Sequence, residues 1–208
     1  AALRCVAMNV FCDYAGRPDC KVKGIKMQKN ASVENVITMR EYKSLLKHLA
    51  ADGKWKVYFI VKFLAGTGCR ASELAKLEKS CLSNGEFTLW TKGKIRTIMI
   101  PKHLIEESRE YFKTVDSNYL FPNRFGEQIT TRGIGCLIKK YGLKYKIREE
   151  VLHPHAFRHL FAILFLKENK NIALLSDILG HKSLNTTAIY LRLSAAEQKK
   201  QLDRTVKW

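Results

Sequence analysis

The sequence predicts a mainly helical domain with one small antiparallel β-sheet, an α+β arrangement. Apolar residues recur at helical spacing along most of the 208 residues. One stretch only, residues 86–100, is rich in β-branched and aromatic residues around a Gly-containing turn, which reads as a hairpin. A hydrophobic content of 46% with 10% aromatics is enough to build a core and argues against wholesale disorder.

In chain order, residues 3–14 carry apolar side chains at helical spacing and read as the end of a helix. Residues 15–36 hold Gly16, Pro18, Gly24 and several lysines with no sustained period, so they read as a linker. Thr38 and Glu41 form a capping box: the hydroxyl accepts from the amide three residues on, and the carboxylate reaches back. The main domain is expected to start there, which divides the chain into residues 1–37 and 38–208. Leu45, Leu46 and Leu49 supply the stripe of its first helix. A second helix fits residues 57–65 and ends at Gly66-Thr67-Gly68, and a third begins near Ser72 and carries Leu74 and Leu77. The hairpin follows, with Lys92-Gly93 at its tip, and Pro101 ends it. Helical patterns then cover 102–113, 131–141, 155–168, 171–179 and 185–193. Pro154 suits a first helical position, Gly180 a left-handed C-cap and Asn185 the cap of the next helix. Ser194 and Glu197 form a second capping box, placing a terminal helix at about 194–208.

Charge narrows the partners. Lys plus Arg number 37 against 19 Asp plus Glu, a net +18, which calls for a polyanion: nucleic acid first, an anionic membrane surface second. The longest apolar run, residues 160–166, falls far short of the roughly 20 residues that span a bilayer. No signal peptide is visible. The chain opens Ala1-Ala2-Leu3 without a Met and is expected to be a fragment or a processed product. Its six cysteines are scattered without a C-x-x-C pair, as befits reduced thiols.

The densest chemistry lies in residues 153–159, His-Pro-His-Ala-Phe-Arg-His. His155 and Arg158 share a face of a first helical turn, where free amides and the helix dipole already favour an anion. An arginine there is equally consistent with simple solvation. His155 and His159, four apart, have zinc-ligand spacing, but the glutamate of H-E-x-x-H is absent and no third ligand is near. His159 is therefore expected to pack or hydrogen-bond inside the core. Arg70 follows a Gly-rich turn before a helix, with Glu73 one turn away to orient its guanidinium. Taken alone, Tyr190 reads as an ordinary amphipathic residue and Lys92 as a solvated turn lysine. Taken together, Arg70, Lys92, His155, Arg158, His181 and Tyr190 fit one chemistry. Two arginines grip the non-bridging oxygens of a phosphodiester. A tyrosine attacks phosphorus, a histidine moves its proton and a lysine protonates the leaving oxygen. That chemistry needs neither metal nor cofactor.

On these residues the sequence resembles the tyrosine recombinase (phage integrase) family. The boxes that carry the likeness are Gly68-Cys69-Arg70-Ala71-Ser72-Glu73-Leu74; Lys92-Gly93; His155 to His159, with Phe157 where leucine is usual; and Leu179-Gly180-His181 through Thr186 or Thr187 to Tyr190. They occur in family order from about Thr38 to the end. The resemblance implies the catalytic fold shared with type IB topoisomerases. It implies a site-specific recombinase that integrates or excises DNA through a 3′-phosphotyrosine at Tyr190, without metal or ATP. Arg70, Arg158 and His181 would hold the phosphate, Lys92 would act as general acid, and His155 would serve the tyrosine proton. It also implies double-stranded recombination sites as partner and a tetrameric synaptic complex. Residues 194–208 would be a tail reaching a neighbouring protomer, and residues 1–37 the last helix of a core-binding domain plus linker. A fragment of this kind would bind DNA less tightly than the intact protein. The location implied is the bacterial cytoplasm, at the nucleoid, with no membrane partner. The boxes look diverged from the chromosome-dimer-resolving Xer pattern, which favours a mobile-element integrase, with an Xer-type role as the alternative. Two further rivals are a type IB topoisomerase and a non-catalytic DNA-binding regulator on the same scaffold; the second predicts no covalent adduct with DNA.

Overall fold

The structure, a computed structural model, describes residues 2–22, 36–91, 94–181, 184–191 and 203. The chain divides into two compact units, Ala1–Ala31 and Ser32–Trp208.

In the first unit, helix α1 (Ala2–Tyr14) leads into a 3₁₀ turn at Pro18–Cys20. Asn9 ties its side chain to the backbone of Val22, and Lys21 pairs with Asp13. Val6, Val10 and Phe11 stand exposed on α1. Of the expected linker, residues 23–35 lie outside the described residues.

In the second unit Thr38 caps the first helix: its hydroxyl accepts from the Glu41 amide while the Glu41 carboxylate accepts from the Thr38 amide, the expected capping box. Helix α2 (Met39–Ala51) buries Leu45 and Leu49. Helix α3 (Trp55–Thr67) is apolar over most of its surface, Lys56 and Lys62 excepted, and buries Val57, Phe59, Ile60, Val61, Phe63 and Leu64, so it is the central rod of the core. Phe59 and Phe63 pack against Phe112 of α6 (Lys102–Lys113), tilted and edge-to-face, with ring centroids 5.6 and 5.8 Å away.

The third helix is shorter than expected. Helix α4 (Ala71–Leu74) makes a single turn, and α5 (Ser80–Asn84), which periodicity did not predict, follows a non-helical passage. In that passage Leu77 accepts from the Leu120 amide and Lys79 donates to Asn118, so pairing with a distant segment ends the helix although Leu77 still points into the core. Strands β1 (Glu86–Thr91) and β2 (Lys94–Met99) form the expected antiparallel hairpin, in register from Glu86–Met99 to Thr91–Lys94. Leu89 and Ile98 face inward, whereas Trp90 and Ile95 face out.

Helices α7 (Thr131–Lys144), α8 (Pro154–Glu168) and α9 (Ile172–Leu179) close the domain, followed by α10 (Leu184–Ala188) and a 3₁₀ turn at Ile189–Leu191. Pro154 occupies the first position of α8, and Gly180 caps α9 with φ +60°. Helix α10 starts at Leu184, which places Asn185 inside it rather than at its cap. A second apolar cluster of Ala162, Leu166, Leu175 and Leu179 joins α8 to α9 and receives the ring of Tyr190. All six cysteines carry free thiols. No helix among the described residues is long and apolar enough to cross a membrane. The expected tail helix at 194–208 lies outside the described residues, Asp203 excepted.

Candidate active site

The last turn of α9 organises the site. A helix ends with carbonyls that have no partner in the helix and with the negative end of its dipole, so cations and N–H donors are stabilised there. Three arginines from three separate elements supply them. Arg96 of β2 donates from Nη2 to the Ile178 carbonyl at 3.3 Å, and Arg158 of α8 from Nη2 to Leu179 at 2.7 Å. Arg70, just before α4, donates from Nη2 to Gly180 at 3.3 Å. Three successive carbonyls thus draw together side chains separated by up to 88 positions in the chain, from Arg70 to Arg158.

Each guanidinium has a second anchor. Arg158 is only 3% exposed, and its Nη1 donates to the Gly68 carbonyl at 2.6 Å. Gly68 caps α3 with φ +62°, and a Cβ there would lie 2.4 Å from the Phe161 ring. Only glycine presents that carbonyl with α8 so close. Arg158 is thus not the solvated first-turn arginine that the sequence left open. Burial, and then the neighbouring charges of Arg70 and Arg96, lower its pKa to about 10, which leaves it cationic at neutral pH.

Glu73 orients Arg70 as expected. Its buried carboxylate accepts from the Arg70 amide at 2.7 Å and from Nη1 at 2.9 Å. The same carboxylate pairs with Arg96, whose Nε stands 2.8 Å away without hydrogen-bond alignment. Two arginines therefore share one carboxylate, and among the described residues the third, Arg158, has no acidic partner. The surplus positive charge borders a cleft of about 890 Å³ lined by Arg70, Arg96, Gly180, His181 and Thr186.

His181 follows directly. Its Nε2 accepts from Arg158 Nη2 at 2.9 Å, so Nδ1 carries the hydrogen and donates to the buried Thr187 hydroxyl at 2.7 Å. Thr187 rather than Thr186 fills this place. Burial, then the positive charges of Arg158 and Arg70, hold His181 down at about 4, so it is neutral at physiological pH.

Tyr190 lies in the 3₁₀ turn after α10, half-buried on the second cluster. Its hydroxyl is 2.7 Å from Nδ1 of His159, the residue next to Arg158. Burial raises the Tyr190 pKa, and the Arg158 charge partly offsets the rise. His155 stands exposed on the first turn of α8, its ring centroid 6.4 Å from that of His159; partial burial and then the Arg158 charge lower its pKa. Lys92 lies outside the described residues, as does the side chain of Lys94.

The structure thus joins Arg70, Arg158 and His181 through direct contacts or shared anchors and sets Tyr190 beside them. It adds two residues that motif reading left out. Arg96 was detectable from strand alternation, because it shares the inward face of Ile98. His159 was visible as the histidine next to the motif arginine, but only the fold brings Tyr190 to it.

The model of the phage integrase family matches residues 35–197, and the chain belongs to that family. Tyrosine recombinase XerA of Pyrococcus furiosus is 36% identical over 177 residues, which cover 81% of this chain and 60% of that protein. A crystal structure of XerA recombinase matches with a TM-score of 0.70 and 25% identity over 98% of this chain and 75% of its own. The integrase of the Tn1549 transposon, solved in complex with transposon right end DNA, shares the fold, with a TM-score of 0.67 and 20% identity over 82% of this chain and 65% of its own. The fold is that of tyrosine recombinase catalytic domains. The chain spans about 60% of the length of the XerA protein it matches.

Proposed function

We propose that this chain carries the catalytic part of a site-specific DNA recombinase that cuts and rejoins strands through a 3′-phosphotyrosine. The observation that carries the reading is the meeting of Arg70, Arg158 and His181 at the C-terminus of α9, beside a tyrosine hydroxyl and with surplus positive charge at an open cleft. Such a locus favours a phosphodiester and gains most as charge builds on the non-bridging oxygens. Arg70 and Arg158 hold those oxygens, and His181, as a fixed neutral imidazole, sets the Arg158 guanidinium and faces the same cleft. Tyr190 attacks phosphorus, forming the O–P bond as the bond to the 5′-oxygen breaks. Lys92 protonates that oxygen, and His155 at the mouth of the site serves the tyrosine proton. The bond energy is kept in the phosphotyrosine, so rejoining needs neither ATP nor a metal.

Residues 38–208 form the catalytic domain in this reading, and residues 1–37 belong to a core-binding domain and linker. The partner is duplex DNA at recombination sites, bound by a tetramer in which residues 194–208 reach a neighbouring protomer, at the nucleoid in the bacterial cytoplasm. A mobile-element integrase accords with the fold shared with the Tn1549 enzyme. A chromosome-dimer-resolving role of Xer type is favoured by the 36% identity to XerA.

A nicked suicide substrate tests the chemistry. The chain is expected to give a covalent protein–DNA adduct, and Tyr190→Phe to abolish it while DNA affinity stays within about twofold, since one hydroxyl is lost among many backbone contacts. An adduct that survives in Tyr190→Phe would show another nucleophile at work, and no adduct from the unsubstituted chain would favour a DNA-binding regulator.

A further inference from the structure

Tyr190 must lose a proton as its oxygen attacks phosphorus, and among the described residues its hydroxyl meets one basic atom, Nδ1 of His159 at 2.7 Å. The two rings pack at 5.5 Å between centroids, tilted by 54°, which places the hydroxyl at the imidazole edge rather than over its face. His159 sits on α8 immediately after Arg158, so the helix that supplies an oxygen-binding guanidinium also holds the tyrosine. Tyr190 is itself held, with its ring against the cluster of Ala162, Leu166, Leu175 and Leu179.

We propose that His159 is a further catalytic residue, the direct acceptor of the Tyr190 proton. This rests on the phosphotyrosine reading above. In cleavage the Tyr190 O–H bond breaks, the proton goes to Nδ1, the oxygen bonds to phosphorus, and the 5′-oxygen leaves with a proton from the general acid. Rejoining runs the same transfers backwards, with the imidazolium returning the proton to the departing phenolate. His155, exposed one turn away, then exchanges the proton with solvent.

The surroundings suit an acceptor. Burial, followed by the nearby His155, His153 and Arg158, depresses the His159 pKa to about 4, so the ring is neutral throughout the neutral range with one nitrogen unprotonated, and as a weak base it takes the proton only in step with the attack on phosphorus. The adjacent Arg158 charge lowers the cost of the phenolate that forms when the proton leaves.

The test measures adduct formation by the full chain on the suicide substrate. His159→Gln keeps a hydrogen-bonding side chain but cannot take a proton, and it is expected to slow cleavage about a hundredfold or more with DNA affinity unchanged. Its residual rate should climb with pH, as hydroxide replaces the lost base. On a substrate with sulfur in place of the 5′-bridging oxygen, whose thiolate leaves without a proton, the deficit should persist. His159→Asn serves the same purpose if the Gln variant does not fold. A variant that cleaves at the unsubstituted rate, or one fully restored by the bridging sulfur, would overturn the assignment. Either result alongside a normal Tyr190 adduct would overturn only the role of His159; loss of that adduct from the unsubstituted chain would overturn the phosphotyrosine reading itself.

Discussion

Arg158 shows how a single side chain becomes functional. An arginine in a first helical turn is commonly solvated, yet here Gly68 and Leu179 carbonyls and the His181 ring fix three directions of its guanidinium. None of the three is within ten positions of Arg158, and each depends on a helix ending where it does. Gly180 performs two tasks at such an end. Its φ of +60° closes α9, and a Cβ added there would lie 1.6 Å from Nη1 of Arg96. Gly180→Ala is therefore expected to destabilise the chain by about 1–3 kcal/mol, through left-handed strain and overpacking. Because Arg96 shares Glu73 with Arg70, the shift should also slow adduct formation more than it weakens DNA binding. Urea denaturation and the suicide-substrate rate measure the two effects. Unchanged stability would show that Arg96 can move aside freely.

Among the elements, most caps were legible, Asn185 excepted, whereas the end of α4 was not. The Thr38 capping box, Pro154 at the start of α8 and Gly180 after α9 are local chemistry, so a stretch of four residues contains the whole signal. The end of α4 is different. Leu74 and Leu77 have helical spacing and both are buried, but the Leu77 and Lys79 backbones pair with residues 118–120 instead of continuing the helix. Nothing near residue 77 announces that pairing. The α2 cap also makes a pH prediction. Arg148, 107 positions away, donates to Glu41 at 2.6 and 3.0 Å and, with the Thr38 amide, draws the Glu41 pKa down from 4.5 to about 2. A carboxylate whose pKa is lower in the folded chain stabilises it above its unfolded pKa, and that contribution fades as pH falls from about 4.5 to about 2. Arg148→Gln should lower Tm at pH 7, and its difference from the unsubstituted chain should shrink at pH 2.5. A constant difference across that range would place the effect of Arg148 elsewhere than in the ion pair.

For the molecule as a whole, a net +18 makes DNA affinity a property of the entire surface, whereas cleavage belongs to a few residues. Each phosphate neutralised adds about −0.9 to the slope of log K against log salt, so six to ten contacts would cost about 10³–10⁵ in affinity between 50 and 200 mM salt. The slope should be the same for the chain and for Tyr190→Phe, measured by titration of a fluorescent duplex, because the hydroxyl neutralises no phosphate. A slope near zero would mean that the excess charge does not face the nucleic acid.

By itself the sequence determined the helical class with its one hairpin, the family, and the residue types the chemistry needs. These are written in short-range patterns: period, caps and four boxes of a few residues. Only the tertiary structure decided which of those residues meet. The C-terminus of α9 gathers Arg70, Arg96 and Arg158 because its carbonyls need donors that no neighbour in sequence supplies. His159, expected to bond inside the core, bonds to Tyr190 because α10 and the turn after it return the tyrosine to α8. Spacing along a chain specifies what a helix or strand presents; which partner it finds depends on how the elements pack, and there the arginines and the tyrosine become one site.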